Sequence, residues 1–258
     1  AALPSVVVGF LAGLWLSPTV ERNLAGVGFL LLAIPFSVGL GVAVLRLLPP
    51  RVRGRLSSGR ELLYVGGFLA AGIAAASFAS GPLEGALFGG NLRAWLLEAV
   101  GIAYEPRNAL VVGFALGFAV IPILYTVAED ALSNVPRSLL AASEALGATR
   151  WQTAWRLVVP AASPGIFAAF MLAFGRAIGE TMIVVMATGN TPVLDLSMFS
   201  GMRTISACIA VEMPEAPVGS SLYRVLFLSG ALLFAFAFLC NTAADVVGTR
   251  LRKRFARW

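Results

Sequence analysis

Along the 258 residues, long apolar runs alternate with short polar stretches. Six runs stand out: Leu3 to Leu16, Leu24 to Leu48, Leu62 to Ala79, Ala109 to Ala128, Gly165 to Ala187 and Leu222 to Val247. A hydrocarbon core of roughly 30 Å takes about 20 apolar residues in an α-helix. The first run is short for a full crossing and carries Pro4 near its start. The second and fourth carry Pro35 and Pro122 as kink sites. The third is rich in small residues, with Gly66, Gly67, Ala70, Ala71, Gly72, Ala74, Ala75 and Ala76. Small residues let helix backbones approach closely in lipid. The pattern predicts an all-α, polytopic membrane protein of about six helical segments.

Composition agrees. Hydrophobic residues make up 59% of the chain and charged residues 12%, with a mean hydropathy of +0.87. A soluble domain has about a quarter of its residues charged. The net charge of +6 is not a nucleic-acid signature, because the arginines collect at segment ends. Arg51, Arg53, Arg55 and Arg60 crowd one connection, and Arg137, Arg150 and Arg156 lie in another. Arg250, Arg252, Lys253, Arg254 and Arg257 form the tail. Alternating six spans puts these clusters on one side, leaving Arg22, Arg93, Arg107, Arg203 and Arg224 on the other. The positive-inside bias makes the clustered side, and the C-terminus with it, cytoplasmic. The chain has no histidine, which excludes histidine catalysis and ligation. Cys208 and Cys240 make no metal spacing and read as free thiols. The chain opens Ala-Ala-Leu-Pro straight into an apolar run and reads as a fragment lacking an N-terminal portion.

Two outer connections are long. Gly81 to Arg107 holds an aromatic-bearing stretch, Asn91 to Leu97, suited to the interface. Thr188 to Ser221 holds a short helix over Met202 to Val211, with Arg203 and Glu212 placed for a surface salt bridge or to meet incoming substrate or its delivery protein. Trp15 and Trp95 fit interfacial anchoring.

The cytoplasmic connection Glu129 to Pro160 reads as two short helices. Ser133 or Asn134 is placed to cap the first, Pro136 opens it, and Gly147 closes it. Thr149 is placed to cap a second, Trp151 to Val158, with Trp151 and Trp155 on one face. Packed helices transmit a displacement that a flexible loop absorbs, so the element suits contact with a cytoplasmic partner.

These residues resemble the "EAA" signature of ABC importer permeases, in which a triplet and a glycine precede an Ile-x-Leu-Pro-like close. Gly147 is followed by nine residues and then Leu157-Val158-Val159-Pro160, the position of that close. The triplet falls on Ala141-Ala142-Ser143, with Glu144 and Ala145 following and Ala148 after the glycine, so the leading glutamate is absent. Leu3 to Phe10, Ala128-Glu129-Asp130-Ala131, Gly175 to Met182 and Gly189-Asn190 resemble permeases of the phosphate-specific transport (Pst) system, of the PstC type. The resemblance implies a type I, MetI-like permease domain over 1–258, with 21–107 as an insertion adding two spans and an outer loop. It implies that Pro136, Arg137, Ala141 to Ala145, Gly147, Ala148 and Pro160, within the 129–160 element, dock on a dimeric cytoplasmic ATPase. A second homologous permease subunit and a periplasmic phosphate-binding protein are the other implied partners, in a bacterial inner membrane. No Walker A sequence occurs and the single lysine, Lys253, lies in the tail, so this chain binds no cofactor and ATP and Mg belong to the partner ATPase.

Arg176 and Glu180 sit in the middle of the fifth run, four residues apart and hence on one helical face. Ionisable groups at that depth cost about 2.5–3.5 kcal/mol each on insertion scales and normally face a partner or a water-filled path. A guanidinium also suits bidentate contact with an oxyanion. With Thr181, the two line a translocation path, or they neutralise each other and fix packing. Sulfate, molybdate and tungstate remain alternative cargoes, and a secondary anion transporter remains an alternative mechanism. A membrane-embedded enzyme finds no support in the residues.

Overall fold

The computed structural model describes residues 4–47 and 60–255, and among these there is no β-strand. The arginine cluster at 51–55, and Arg257 in the tail, lie outside the described residues. The helices are α1 (Ser5–Leu11), α2 (Ser17–Arg22), α3 (Leu24–Leu47), α4 (Arg60–Phe88), α5 (Leu92–Trp95), α6 (Ala109–Ser133), α7 (Arg137–Ala145), α8 (Arg150–Thr153), α9 (Val159–Gly179), α10 (Met182–Ala187), α11 (Ile205–Glu212) and α12 (Ser221–Phe255). Among the described residues, five stretches are long and apolar enough to cross a membrane: Leu24–Leu45, Leu63–Val100, Ala109–Ser133, Arg150–Gly179 and Ser221–Arg250. The N-terminal run is helical but falls short of a crossing, as its length implied.

Two helices widen by one π turn two residues ahead of a proline. Ala12–Leu16 precedes Pro18, and Ala154–Val158 precedes Pro160. A proline in an α-helix cannot donate to the carbonyl four residues back and its ring crowds that carbonyl. Those carbonyls, on Leu14 and Arg156, lie inside the widened turns, which make room for the ring. The helix beginning at Arg150 therefore runs through Pro160 into α9. The expectation of a separate second short helix, Trp151 to Val158, is corrected accordingly.

The chain divides into two compact units, Trp15–Pro106 and Ala1–Leu14 with Arg107–Trp258. In the Trp15–Pro106 unit, α3 and α4 pair antiparallel, with Gly41 against Phe68, Ser37 against Gly72 and Gly26 against Ser80. A Cβ on Gly72 would stand 2.5 Å from the Ser37 Cβ, so the small-residue stripe permits this approach. The expected outer loop from Gly81 is corrected: α4 continues through Pro82 to Phe88, and α5 follows a turn at Gly89-Gly90. Asn91 caps α5 by accepting from the Ala94 amide, and Glu84 accepts from the Leu92 amide. Arg93 and Glu21 form an ion pair, and Ser17 donates to the Pro106 carbonyl near the ends of the unit.

In the other unit, α9 is central, with α6 and α12 packed against it. Gly165 meets Ala131 of α6; Phe167 and Gly175 meet Gly248 and Asn241 of α12, which runs antiparallel. Buried Asn108 caps α6 through the Val111 amide. Bulky apolar groups such as Phe118, Phe170 and Phe234 remain exposed on the spans, as expected where hydrocarbon is the solvent.

A Cβ added at Gly165 would lie 2.4 Å from the Ala131 Cβ. Overpacking of this kind costs about 1–3 kcal/mol. Gly165→Ala is therefore expected to lower the thermal unfolding midpoint of the purified chain, whereas Gly117→Ala, with nothing within 4 Å, leaves it unchanged or raises it.

Candidate functional site

Between α6 and the helix from Arg150, the chain folds into a turn fixed at both ends by local hydrogen bonds. Gly147 takes a left-handed conformation, φ +82°, directly after the C-cap Leu146. Its amide donates to Glu144 O at 2.9 Å and the Ala148 amide to Ser143 O at 3.2 Å, the paired bonds of a Schellman motif. Thr149 Oγ1 then accepts from the Gln152 amide, and Gln152 Oε1 accepts from the Thr149 amide at 2.9 Å, a complete capping box. Three residues, Leu146 to Ala148, thus separate the end of one helix from the cap of the next, and hydrogen bonds hold each of their amides.

A longer-range bond closes the element. The Ser143 and Thr153 hydroxyls meet at 2.9 Å with Thr153 buried, tying α7 to α8. Neither Ser133 nor Asn134 caps α7: Ser133 still belongs to α6, Asn134 is the C-cap of α6, and Pro136 occupies the N-cap. Arg137, Ala141, Ala142, Glu144, Ala145 and Gly147 are exposed along the turn, while Ser143, Ala148 and Pro160 are half-buried. Trp151 and Trp155 meet edge-on at 5.8 Å on the exposed face of the second helix.

The second site is a break in the chain beyond α9. Glu180 leaves the helix with φ −71° and ψ 126°, and α10 begins again after Thr181. The expectation of one continuous run to Ala187, with Arg176 and Glu180 on a single face near its middle, is corrected. Arg176 occupies the last turn of α9 and is exposed, whereas Glu180 is buried beyond the helix end. Among the described residues no ion pair joins Arg176 to Glu180. Thr181 Oγ1 donates to Gly179 O at 3.3 Å, which answers one carbonyl freed by the break.

Sequence reasoning missed what holds the break. Ser206 Oγ, on α11, donates to Glu180 O at 3.2 Å. Thr188, fully buried, accepts the Asn190 amide on its hydroxyl, and Asn190 Oδ1 accepts from Arg203 Nε at 3.2 Å. Arg203 also pairs with Glu212. The salt bridge read from sequence is thus present, and it spans α11 from just before its start to its last residue. Thr204 caps α11, which begins at Ile205, three residues after the predicted start. Beneath the break, Gly9 and Gly13 of the N-terminal helix press against the backbone of Met182, Ile183 and Met186, where added Cβ atoms would lie 2.7–3.0 Å from main-chain atoms.

Trp15 and Trp95 are both exposed, in keeping with interfacial positions. Cys208 and Cys240 are free, and no group of metal-ligating side chains gathers among the described residues.

The membrane-length apolar helices define a multi-pass membrane protein. The chain belongs to the family of binding-protein-dependent transport system inner membrane components, whose family profile matches residues 5–257. Among similar proteins, the probable ABC transporter permease protein YqgH of Bacillus subtilis is 38% identical over 124 residues, 48% of this chain and 40% of that protein. The phosphate transport system permease protein PstC of Xylella fastidiosa (strain Temecula1) is 33% identical over 174 residues, 67% of this chain and 49% of that protein. That of Pasteurella multocida is 28% identical over 235 residues, 88% of this chain and 72% of that protein. The chain spans about half the length of the Bacillus and Xylella relatives. No solved structure matches it.

Two predictions concern local order. Thr149→Ala should cost the turn about 1 kcal/mol and speed hydrogen exchange across residues 143–153, read by mass spectrometry. In the outer connection, Asp195 accepts from Ser200 Oγ at 2.6 Å and the Ser197 amide at 3.1 Å, and the Ser200 bond first holds its pKa below the ordinary 3.8. A carboxyl lowered on folding stabilises its turn above the ordinary value and loses that effect as pH falls through the lowered one. Exchange at 195–200, corrected for intrinsic rates, should rise over that acid range, and Asp195→Ala should abolish the pH dependence.

Proposed function

We propose that this chain is the membrane-spanning part of an ATP-driven importer that moves inorganic phosphate across the inner membrane by alternating access. The supporting observation is the turn at Gly147–Thr149. It joins two membrane-length helices through a Schellman motif, a capping box and the Ser143–Thr153 bond. A joint with so few free torsions passes a push at α7 to α9 instead of absorbing it. A channel or secondary transporter has no use for such a joint.

In this reading the turn faces the cytoplasm, as does the C-terminus. Pro136, Arg137, Ala141 to Ala145, Gly147, Ala148 and Pro160 form the element worked by a separate dimeric ATPase, which supplies ATP and Mg. A second homologous permease completes the pathway, and a periplasmic phosphate-binding protein delivers cargo. Relatives named as phosphate permeases support phosphate over other oxyanions. Arg176 presents its guanidinium toward the path at the end of α9, while Glu180 and Thr181 form the break beside it. The segment 21–107 is an addition to the core permease and carries two further spans.

The test is ATP-dependent uptake by the reconstituted full complex, comparing phosphate with sulfate, molybdate and tungstate. Phosphate is expected to be taken up and the others to compete weakly; preferential uptake of another oxyanion reassigns the cargo. Arg176→Ala and Glu180→Ala should each slow uptake about tenfold, equivalent to about 1.4 kcal/mol of barrier, in complexes that still assemble. Gly147→Val, which places a β-branched residue at positive φ, should release the ATPase in a pull-down. Retention of the ATPase with full uptake removes the turn from the mechanism.

A further inference from the structure

The break at Glu180–Thr181 is fastened by hydroxyl groups with a fixed direction. Ser206 Oγ lies 3.2 Å from Glu180 O, an acceptor that offers no proton, so the Ser206 hydroxyl must be the donor. Its single proton is then committed, and the contact of 3.1 Å between Thr204 Oγ1 and Ser206 Oγ must be donated by Thr204. Thr204 Oγ1 in turn accepts the Ala207 amide at 3.3 Å, the capping bond of α11. The chain of donors therefore runs Ala207 amide, Thr204, Ser206, Glu180 carbonyl, with no proton to spare. Ser206 is buried, as are Ala207 and Glu180, so water does not readily replace it.

The other end of α10 is held by the same helix. Buried Thr188 receives the amide of Asn190, whose φ of +53° is unusual for a residue other than glycine. Asn190 Oδ1 receives Arg203 Nε, and Arg203 is held by Glu212. The N-terminal end of α11 thus grips α10 at both ends, through Ser206 before it and Arg203 after it.

We propose that Ser206 is a positioning residue for transport: its hydroxyl sets the angle of the chain at Glu180, so that α10 and α11 move as one body about the break. The proposal rests on the reading of Arg176 and Glu180 as path residues. A helix end freed of this bond would recover its carbonyl partner only by rewinding or by admitting water, and either displaces Glu180 relative to Arg176.

The experiment uses the full chain in its reconstituted complex, with Cys208 and Cys240 replaced by Ala. Gly179→Cys supplies a label site, because Gly179 is exposed and a Cβ there meets nothing within 4 Å. In this background Ser206→Ala should change the rate of labelling by a membrane-impermeant maleimide about fivefold, and slow maximal uptake by a similar factor, the worth of one hydrogen bond. The concentration of binding protein giving half-maximal uptake should not move. Ser206→Thr, which keeps the hydroxyl, should restore both rates. Equal labelling and uptake in Ser206→Ala and the parent overturn the proposal, as does a Ser206→Thr variant no better than Ser206→Ala. Loss of assembled complex in Ser206→Ala also overturns it, since the hydroxyl then serves folding alone. Should Arg176→Ala and Glu180→Ala retain full uptake, the path reading fails instead, whatever Ser206 does to labelling.

Discussion

A helix that stops among apolar neighbours leaves carbonyls that water cannot reach, and each must find another donor or the break does not persist. The region beyond α9 is organised by that constraint. At Glu180–Thr181 the missing bonds come from Thr181 and from Ser206 on α11. Glu180 and Ser206 are buried and Ile183 and Val184 follow, so at the Glu180 carbonyl the donor is a protein group, whereas Gly179 remains exposed. α11 brings that serine to the break, with Thr204 capping the helix and Arg203 tying its start to Asn190 and Glu212.

The opposite end of the same helix is governed by bonds within a few residues of chain. Gly147 and Thr149 stop one helix and start another with no flexible residue between them. Pro160 then stays inside a continuous helix because the π turn ahead of it accommodates its ring. The helix consequently runs unbroken from Arg150 to Gly179, with Gly165 letting it lie directly against α6. This shape places the Gly147–Thr149 turn at one end of a continuous helix and Arg176 and Glu180 at the other.

Close approach recurs at several helix contacts. Gly72 against Ser37, Gly165 against Ala131, and Gly9 and Gly13 against the backbone of α10 each leave no room for a Cβ. Lipid provides little hydrophobic drive for helices to associate, so contact of this closeness is what holds them together. The glycines and alanines that looked like mere composition in the third apolar run are the surfaces along which α3 and α4 meet.

Much of the molecule was legible in the residues themselves. Apolar length identified the spans, and the Gly147 to Thr149 stop-and-start was readable because its bonds reach at most five residues along the chain. Within-helix periodicity, however, carried Arg176 and Glu180 onto one continuous face, and the sequence contained no local sign strong enough to end the helix there. Gly179 weakens the helix but does not break it by itself. The break is stabilised by a serine 26 residues away, and Thr153 finds Ser143 only after the turn has formed. Hydropathy and capping are properties of neighbours in sequence, so the sequence alone determined the class, the spans and the turn. The break and the ties that hold it depend on which hydroxyl meets which carbonyl once the helices have packed, and only the tertiary structure decided that.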